Sequence, residues 1–146
     1  MFLARDEACI FIDTEGLGES RVRLKVLAVD DDERMRRLLR VNLETEDIEV
    51  KEAGTGEECL RLVRDESADL ILLDLNLPDG SGWDVLATIR SASESRDIPV
   101  IVLSVAPPDA SILRRLEPDD FLLKPFDARE LTSRVRKVLD KRVFGE

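Results

Sequence analysis

The sequence predicts a doubly wound α/β domain on a five-stranded parallel sheet, and three observations carry that prediction. Short apolar runs of strand length recur along the chain, segments of helical periodicity lie between them, and breakers containing glycine or proline separate the two. Apolar runs of this length fit strands buried on both faces, as in a parallel sheet covered by helices. Strict alternation of strand with helix then implies right-handed crossovers.

Residues 1–22 precede the first run and stand outside the repeat. Cys9–Ile12 is apolar, but Gly16, Gly18 and the charges around them read as a flexible lead-in, which leaves 23–146 for the domain. Leu24–Val29 is the first strand. Met35, Leu38, Leu39 and Leu43 then fall at i, i+3, i+4 and i+8, one apolar stripe of a helix, with Asp32 its expected N-cap. Ile48–Ala53 is a weaker strand with period-two alternation, and Gly54-Thr55-Gly56 breaks the chain before a helix over 56–66 carrying Cys59, Leu60 and Val63. Leu70–Leu73 is the third strand, Pro78-Asp79-Gly80 a turn, and Trp83, Leu86, Ala87 and Ile89 the stripe of a helix over 83–92. Val100–Leu103 and Phe121–Leu123 are the last strands. Between them Pro107-Pro108 and Glu117-Pro118 leave a fourth helix of about two turns. Leu131, Val135, Val138 and Leu139 mark the fifth helix over 128–141.

A length of 146 residues fits one domain with a full core. The 43% hydrophobic and 37% charged balance is that of a globular chain, neither disordered nor membrane-embedded. No stretch approaches the ~20 apolar residues that span a bilayer. Arg5, Asp6 and Glu7 interrupt Met1–Ile12, so it does not read as a signal peptide and a cytoplasmic location is expected. A net charge of -10 argues against a grip on a nucleic-acid backbone. Cys9 and Cys59 lack metal-ligand spacing and read as reduced thiols. The chain has no histidine, which excludes His-based triads, His-ligated zinc and a phosphorelay histidine of its own.

In a doubly wound sheet, ligands bind beyond the carboxyl ends of the strands. There the sequence sets Asp30-Asp31-Asp32 after strand one, Asp74 after strand three, Ser104 after strand four and Lys124-Pro125 after strand five. Two carboxylates about 4 Å apart repel by roughly 4 kcal/mol at an effective dielectric near 20, so several converging on one crevice need compensating cations. Lys124 supplies one positive charge. Oxygen ligands without His or Cys point to Mg²⁺ for the rest. A metal, a lysine, a hydroxyl and a carboxylate around one point make a phosphoryl-transfer site with Asp74 as nucleophile. Taken singly, each residue has a bland reading as a cap, a turn or a surface lysine; the set at successive strand ends does not.

These residues resemble the receiver domains of two-component response regulators, over roughly Arg23 to Val143. The resemblance rests on Val26-Leu27-Ala28-Val29-Asp30-Asp31, on Leu73-Asp74-Leu75-Asn76-Leu77-Pro78 with Gly80-Ser81-Gly82, on Val102-Leu103-Ser104, and on Asp120-Phe121-Leu122-Leu123-Lys124-Pro125-Phe126. It implies a flavodoxin-like (βα)5 fold and a phosphorylation-dependent switch. Asp30 and Asp31 would hold Mg²⁺ together with Asp74 and the Asn76 carbonyl. Asp74 would accept the phosphoryl group, Ser104 and Lys124 would bind its oxygens, and Phe121 would be the aromatic switch residue. The implied donor is a phosphohistidine on a sensor histidine kinase or a histidine phosphotransfer protein. The chain would catalyse only its own phosphorylation and dephosphorylation, the latter at a slow to intermediate rate because Ala106 offers no polar group to orient water. The segments 127–131 and 134–136 resemble regulators that carry winged-helix domains. There the face of helix four, strand five and helix five makes a receiver dimer, so a homodimer through that face is expected. The sequence ends after helix five, and neither direct nucleic-acid binding nor membrane binding is expected of it.

Three features depart from the family pattern. Val105 stands where a small residue is usual, the stretch from Ser104 to Lys124 is short, and no glycine precedes Asp119-Asp120. The first two leave room for a pseudo-receiver, an interaction module that is never phosphorylated, against which the complete residue set argues. A haloacid-dehalogenase-type phosphatase would use Asp30 as nucleophile and Asp32 as general acid. That reading leaves Asp74 and Lys124-Pro125 without a role.

Overall fold

The computed structural model describes residues 23–144. The lead-in expected over 1–22 lies outside the described residues. Five strands, β1 (Leu24–Val29), β2 (Ile48–Ala53), β3 (Leu70–Asp74), β4 (Val100–Ser104) and β5 (Asp120–Leu123), form one sheet in the order β2-β1-β3-β4-β5, and every pairing is parallel. They alternate with helices α1 (Glu33–Glu44), α2 (Gly56–Asp65), α3 (Gly82–Ser91), α4 (Ala110–Leu116) and α5 (Ala128–Phe144). The chain order reverses between β1 and β3, which opens a crevice beyond their carboxyl ends.

The apolar runs of β1, β3 and β4 bury both their faces, as expected, whereas Leu123 at the end of β5 is 40% exposed; strand alternation sorts the buried residues into two cores. Val26 and Ala28 of β1, Leu70 and Leu72 of β3, Ile101 and Leu103 of β4 and Leu122 of β5 pack with Leu39 and Leu43 of α1 and Leu131, Val135 and Leu139 of α5. The residues between them, Leu27, Val29, Ile71, Leu73, Val100 and Val102, pack with Cys59 of α2, Val85, Leu86 and Ile89 of α3 and Leu116 of α4. Cys59 is fully buried, and burial pushes its thiol up to about 12.

Two stripe residues are corrected. Leu38 is 43% exposed, because one helical step of 100° from Leu39 carries it off the sheet-facing side of α1. Ala87 is exposed, and Val85 takes the buried position on α3. Asp32 caps α1 as expected, its carboxylate accepting from the Arg34 amide at 2.9 Å.

A small antiparallel ribbon, Asn76–Leu77 against Gly80–Ser81, was not legible in the sequence beyond its turn Pro78-Asp79-Gly80. At its tip Asp79 accepts from the amides of Gly56 (2.8 Å) and Glu57 (3.0 Å), capping α2 from a distant loop. Those two bonds hold the Asp79 carboxyl below its ordinary value. Helix α4 has seven residues and ends on Glu117 in the left-handed conformation (φ 50°, ψ 61°). Arg90, at the end of α3, ties this corner together. It donates to the carbonyls of Ile98 (2.7 Å) and Glu117 (3.2 Å) and to the Asp119 carboxylate (3.0 Å).

Candidate functional site

Strand alternation decides which side of the sheet each functional group occupies. Two residues beyond Ala28, Leu72 and Leu122, all on the α1/α5 side, stand Asp30, Asp74 and Lys124. Two residues beyond Val102, on the other side, stands Ser104. The sequence therefore delivers the two acids and the lysine to one place through nothing more than the period of the strand.

The geometry follows. The Lys124 ammonium lies 3.0 Å from Asp30 Oδ2 and 3.3 Å from Asp74 Oδ1. Asp30 is 1% and Asp74 5% exposed, whereas Asp31 is open to solvent. Asp30 also accepts from the Asp32 amide at 2.9 Å. One oxygen each from Asp30, Asp31 and Asp74 lies within 4.8 Å of the others. Burial, and then the charge of Asp30, raise the Asp74 carboxyl above its ordinary value, against the lowering effect of Lys124 and of the Asn76 amide. Burial pulls the Lys124 ammonium down, but the hydrogen bonds and charges of Asp30 and Asp74 prevail and leave it raised. Three carboxylates face one ammonium, and all the donors are oxygens. This set fits a small hard divalent cation that keeps some of its water, with Asp31 on the open side.

The remaining expected residues are less directly engaged. Ser104 is buried, and its hydroxyl is held within its own loop, donating to the Ala106 carbonyl and accepting from the Ala106 amide at 3.1 Å. Phe121 is half-buried against the same core as Val102 and Leu116, so it shares Ser104's side of the sheet. Asn76 is exposed on the ribbon. Val105 is 72% exposed at the rim of a cleft lined by Leu75, Asn76, Trp83 and Ser104, and so borders the site without filling it. The Lys124-Pro125 peptide is cis.

Sequence reasoning missed Gly82. A Cβ there would lie 2.4 Å from the Asp74 carbonyl oxygen, so only glycine lets α3 start against the backbone of the acceptor residue. The Gly80-Ser81-Gly82 signature contained that signal without revealing its cause.

The model of the response regulator receiver domain family matches residues 26–136. The transcriptional regulatory protein ResD of Bacillus subtilis (strain 168) is 39% identical over 117 residues, covering 79% of this chain and 48% of that protein. For SrrA of Staphylococcus aureus (strain NCTC 8325 / PS 47) the identity is 37% over 117 residues, covering 79% and 47%. The chain thus spans about half the length of the curated relatives it matches. The chemotaxis response regulator CheY4 of Vibrio cholerae superposes with a TM-score of 0.76 at 26% identity, over 80% of this chain and 99% of that one.

Proposed function

Because the chain belongs to the response regulator receiver domain family, we propose that it is a switch thrown by phosphorylation of Asp74. The observation that supports this most is the convergence of buried Asp30 and Asp74 with half-buried Lys124 and exposed Asp31 at the crevice between β1 and β3. In this reading a phosphohistidine of a sensor histidine kinase or a histidine phosphotransfer protein is the donor. An Asp74 oxygen attacks phosphorus, the phosphorus–nitrogen bond breaks, and the imidazole leaves with the electron pair, so Asp74 becomes an acyl phosphate. Asp30, Asp31, Asp74 and the Asn76 carbonyl would hold Mg²⁺, which supplies positive charge to the transferring phosphoryl oxygens. Lys124 adds a second cation, preorganised by its two carboxylate partners.

The Ser104 hydroxyl leaves the Ala106 loop to donate to a phosphoryl oxygen, and Phe121, on the same side of the sheet, turns into the space it vacates. That motion reshapes the face of α4, β5 and α5, which would carry output to a partner or to a second copy of the chain. The same reading places the chain in the cytoplasm with its donor. Sedimentation with and without beryllofluoride tests the dimer; a monomer in both conditions overturns that part alone. Incubation with acetyl phosphate and Mg²⁺ is expected to add the mass of one phosphoryl group to the wild type and none to Asp74→Ala. An unlabelled wild type, under conditions that label a control receiver, would refute the switch and favour the pseudo-receiver.

A further inference from the structure

Asp30 stands one residue past the end of β1, where the parallel ladder stops at the pair Val29 and Ala53. Its amide still donates to the Ala53 carbonyl at 3.1 Å. Its own carbonyl, where the next ladder bond would fall, accepts instead from Arg36 Nη1 of α1 at 2.6 Å. Arg36 is aimed by Glu52 of β2, whose Oε1 accepts from Arg36 Nε at 2.9 Å. The other Glu52 oxygen lies 2.6 Å from Arg40 Nη2. Gly54 leaves room for the guanidinium, since a Cβ there would come within 3.3 Å of Arg36 Nη1. A side-chain pair reaching from β2 and α1 thus replaces the missing rung of the sheet, and it does so at the turn that presents Asp30 and Asp31.

We propose that Arg36, anchored by Glu52, is a positioning residue for the cation site: it fixes the backbone of Asp30 so that the Asp30 and Asp31 carboxylates stay converged on Asp74. The inference rests on the function proposed above and adds to it a residue pair outside the acidic cluster. Its sign separates it from a simple charge effect. Arg36 brings a positive charge close to the acidic turn, so if charge alone mattered, removing it would tighten binding of a divalent cation. If Arg36 acts by holding the turn, removing it weakens binding. Lysine keeps the charge but lacks the planar fork that reaches two acceptors at once.

The test is calorimetric titration of the full chain with Mg²⁺, with the fold of each variant checked by circular dichroism and thermal melting in EDTA. Arg36→Ala is expected to bind about tenfold more weakly than the wild type, the usual loss when a group that orients a ligand is removed. Arg36→Lys is expected to share most of that loss, and it carries the test if Arg36→Ala does not fold. Glu52→Gln is expected to weaken binding by less, and to add nothing in combination with Arg36→Ala because both act through one clamp. Equal or tighter binding by a folded Arg36 variant, or fully additive losses, overturns the inference and leaves the phosphoacceptor reading standing. A wild type that shows neither Mg²⁺ binding nor labelling by acetyl phosphate overturns both.

Discussion

Asp74 is held where a carboxylate is least comfortable: buried, beside a second acid, with one lysine shared between them. Its raised pKa has a consequence for stability. The folded state binds the Asp74 proton more tightly than the unfolded chain does, so this group's contribution falls as pH climbs from the ordinary value of 3.8 through the folded one. The cost grows as the folded carboxyl ionises and is greatest on the alkaline side of its raised value. Asp74→Asn should therefore melt higher than the wild type in EDTA at pH 7, by about 1 kcal/mol. The advantage should shrink as pH falls toward 3.8. An Asn variant no more stable at pH 7 than the wild type would contradict this account. At this scale the sequence was legible wherever a residue ends an apolar run. Asp30, Asp74, Ser104 and Lys124 could be placed because strand periodicity alone fixes them. Arg36, Asp79 and Arg90 could not, because their partners Glu52, Gly56 and Asp119 lie 16, 23 and 29 positions away and meet them only once the helices have packed.

The elements divide in the same way. The continuous runs of β1, β3 and β4 announced themselves, and α1, α2 and α5 followed from their stripes. Helix α4 is the weak one. Its length was legible from the flanking prolines, but the manner of its ending was not. Glu117 adopts a left-handed conformation that favours glycine, at the position where the sequence lacks one. Its side chain is exposed, while its amide donates to the Leu113 carbonyl and its carbonyl accepts from Arg90, both backbone bonds that glycine keeps. Glu117→Gly is therefore expected to stabilise the protein by about 1 kcal/mol, read as a rise in the urea midpoint without a change in slope. Destabilisation would mean that the Glu117 side chain has a role that its exposure does not suggest. The ribbon after Asp74 was invisible for a different reason. Two-residue strands carry no periodicity, and what secures this one is the reach of Asp79 to α2.

Across the whole molecule, the sheet separates two cores, and the site sits at their common upper edge. The acids and the lysine belong to the α1/α5 side, and Ser104 and Phe121 to the α2/α3/α4 side. A change at Asp74 reaches the second side through strand ends, the Ser104 loop, the start of α3 at Gly82 and the Asp79 cap, and the cap is where the acceptor loop grips α2. On the buried face of that helix lies Cys59, its thiol pushed up to about 12 and shut off from solvent. A thiol in that state cannot be alkylated until α2 lifts away, so its modification rate times the opening of this part of the fold. With Cys9 replaced by serine, a single thiol becomes a stopwatch. Asp79→Ala should make it run faster by about tenfold, while the melting curve of the remainder moves little, and an unchanged rate would show that the cap does not hold the helix down.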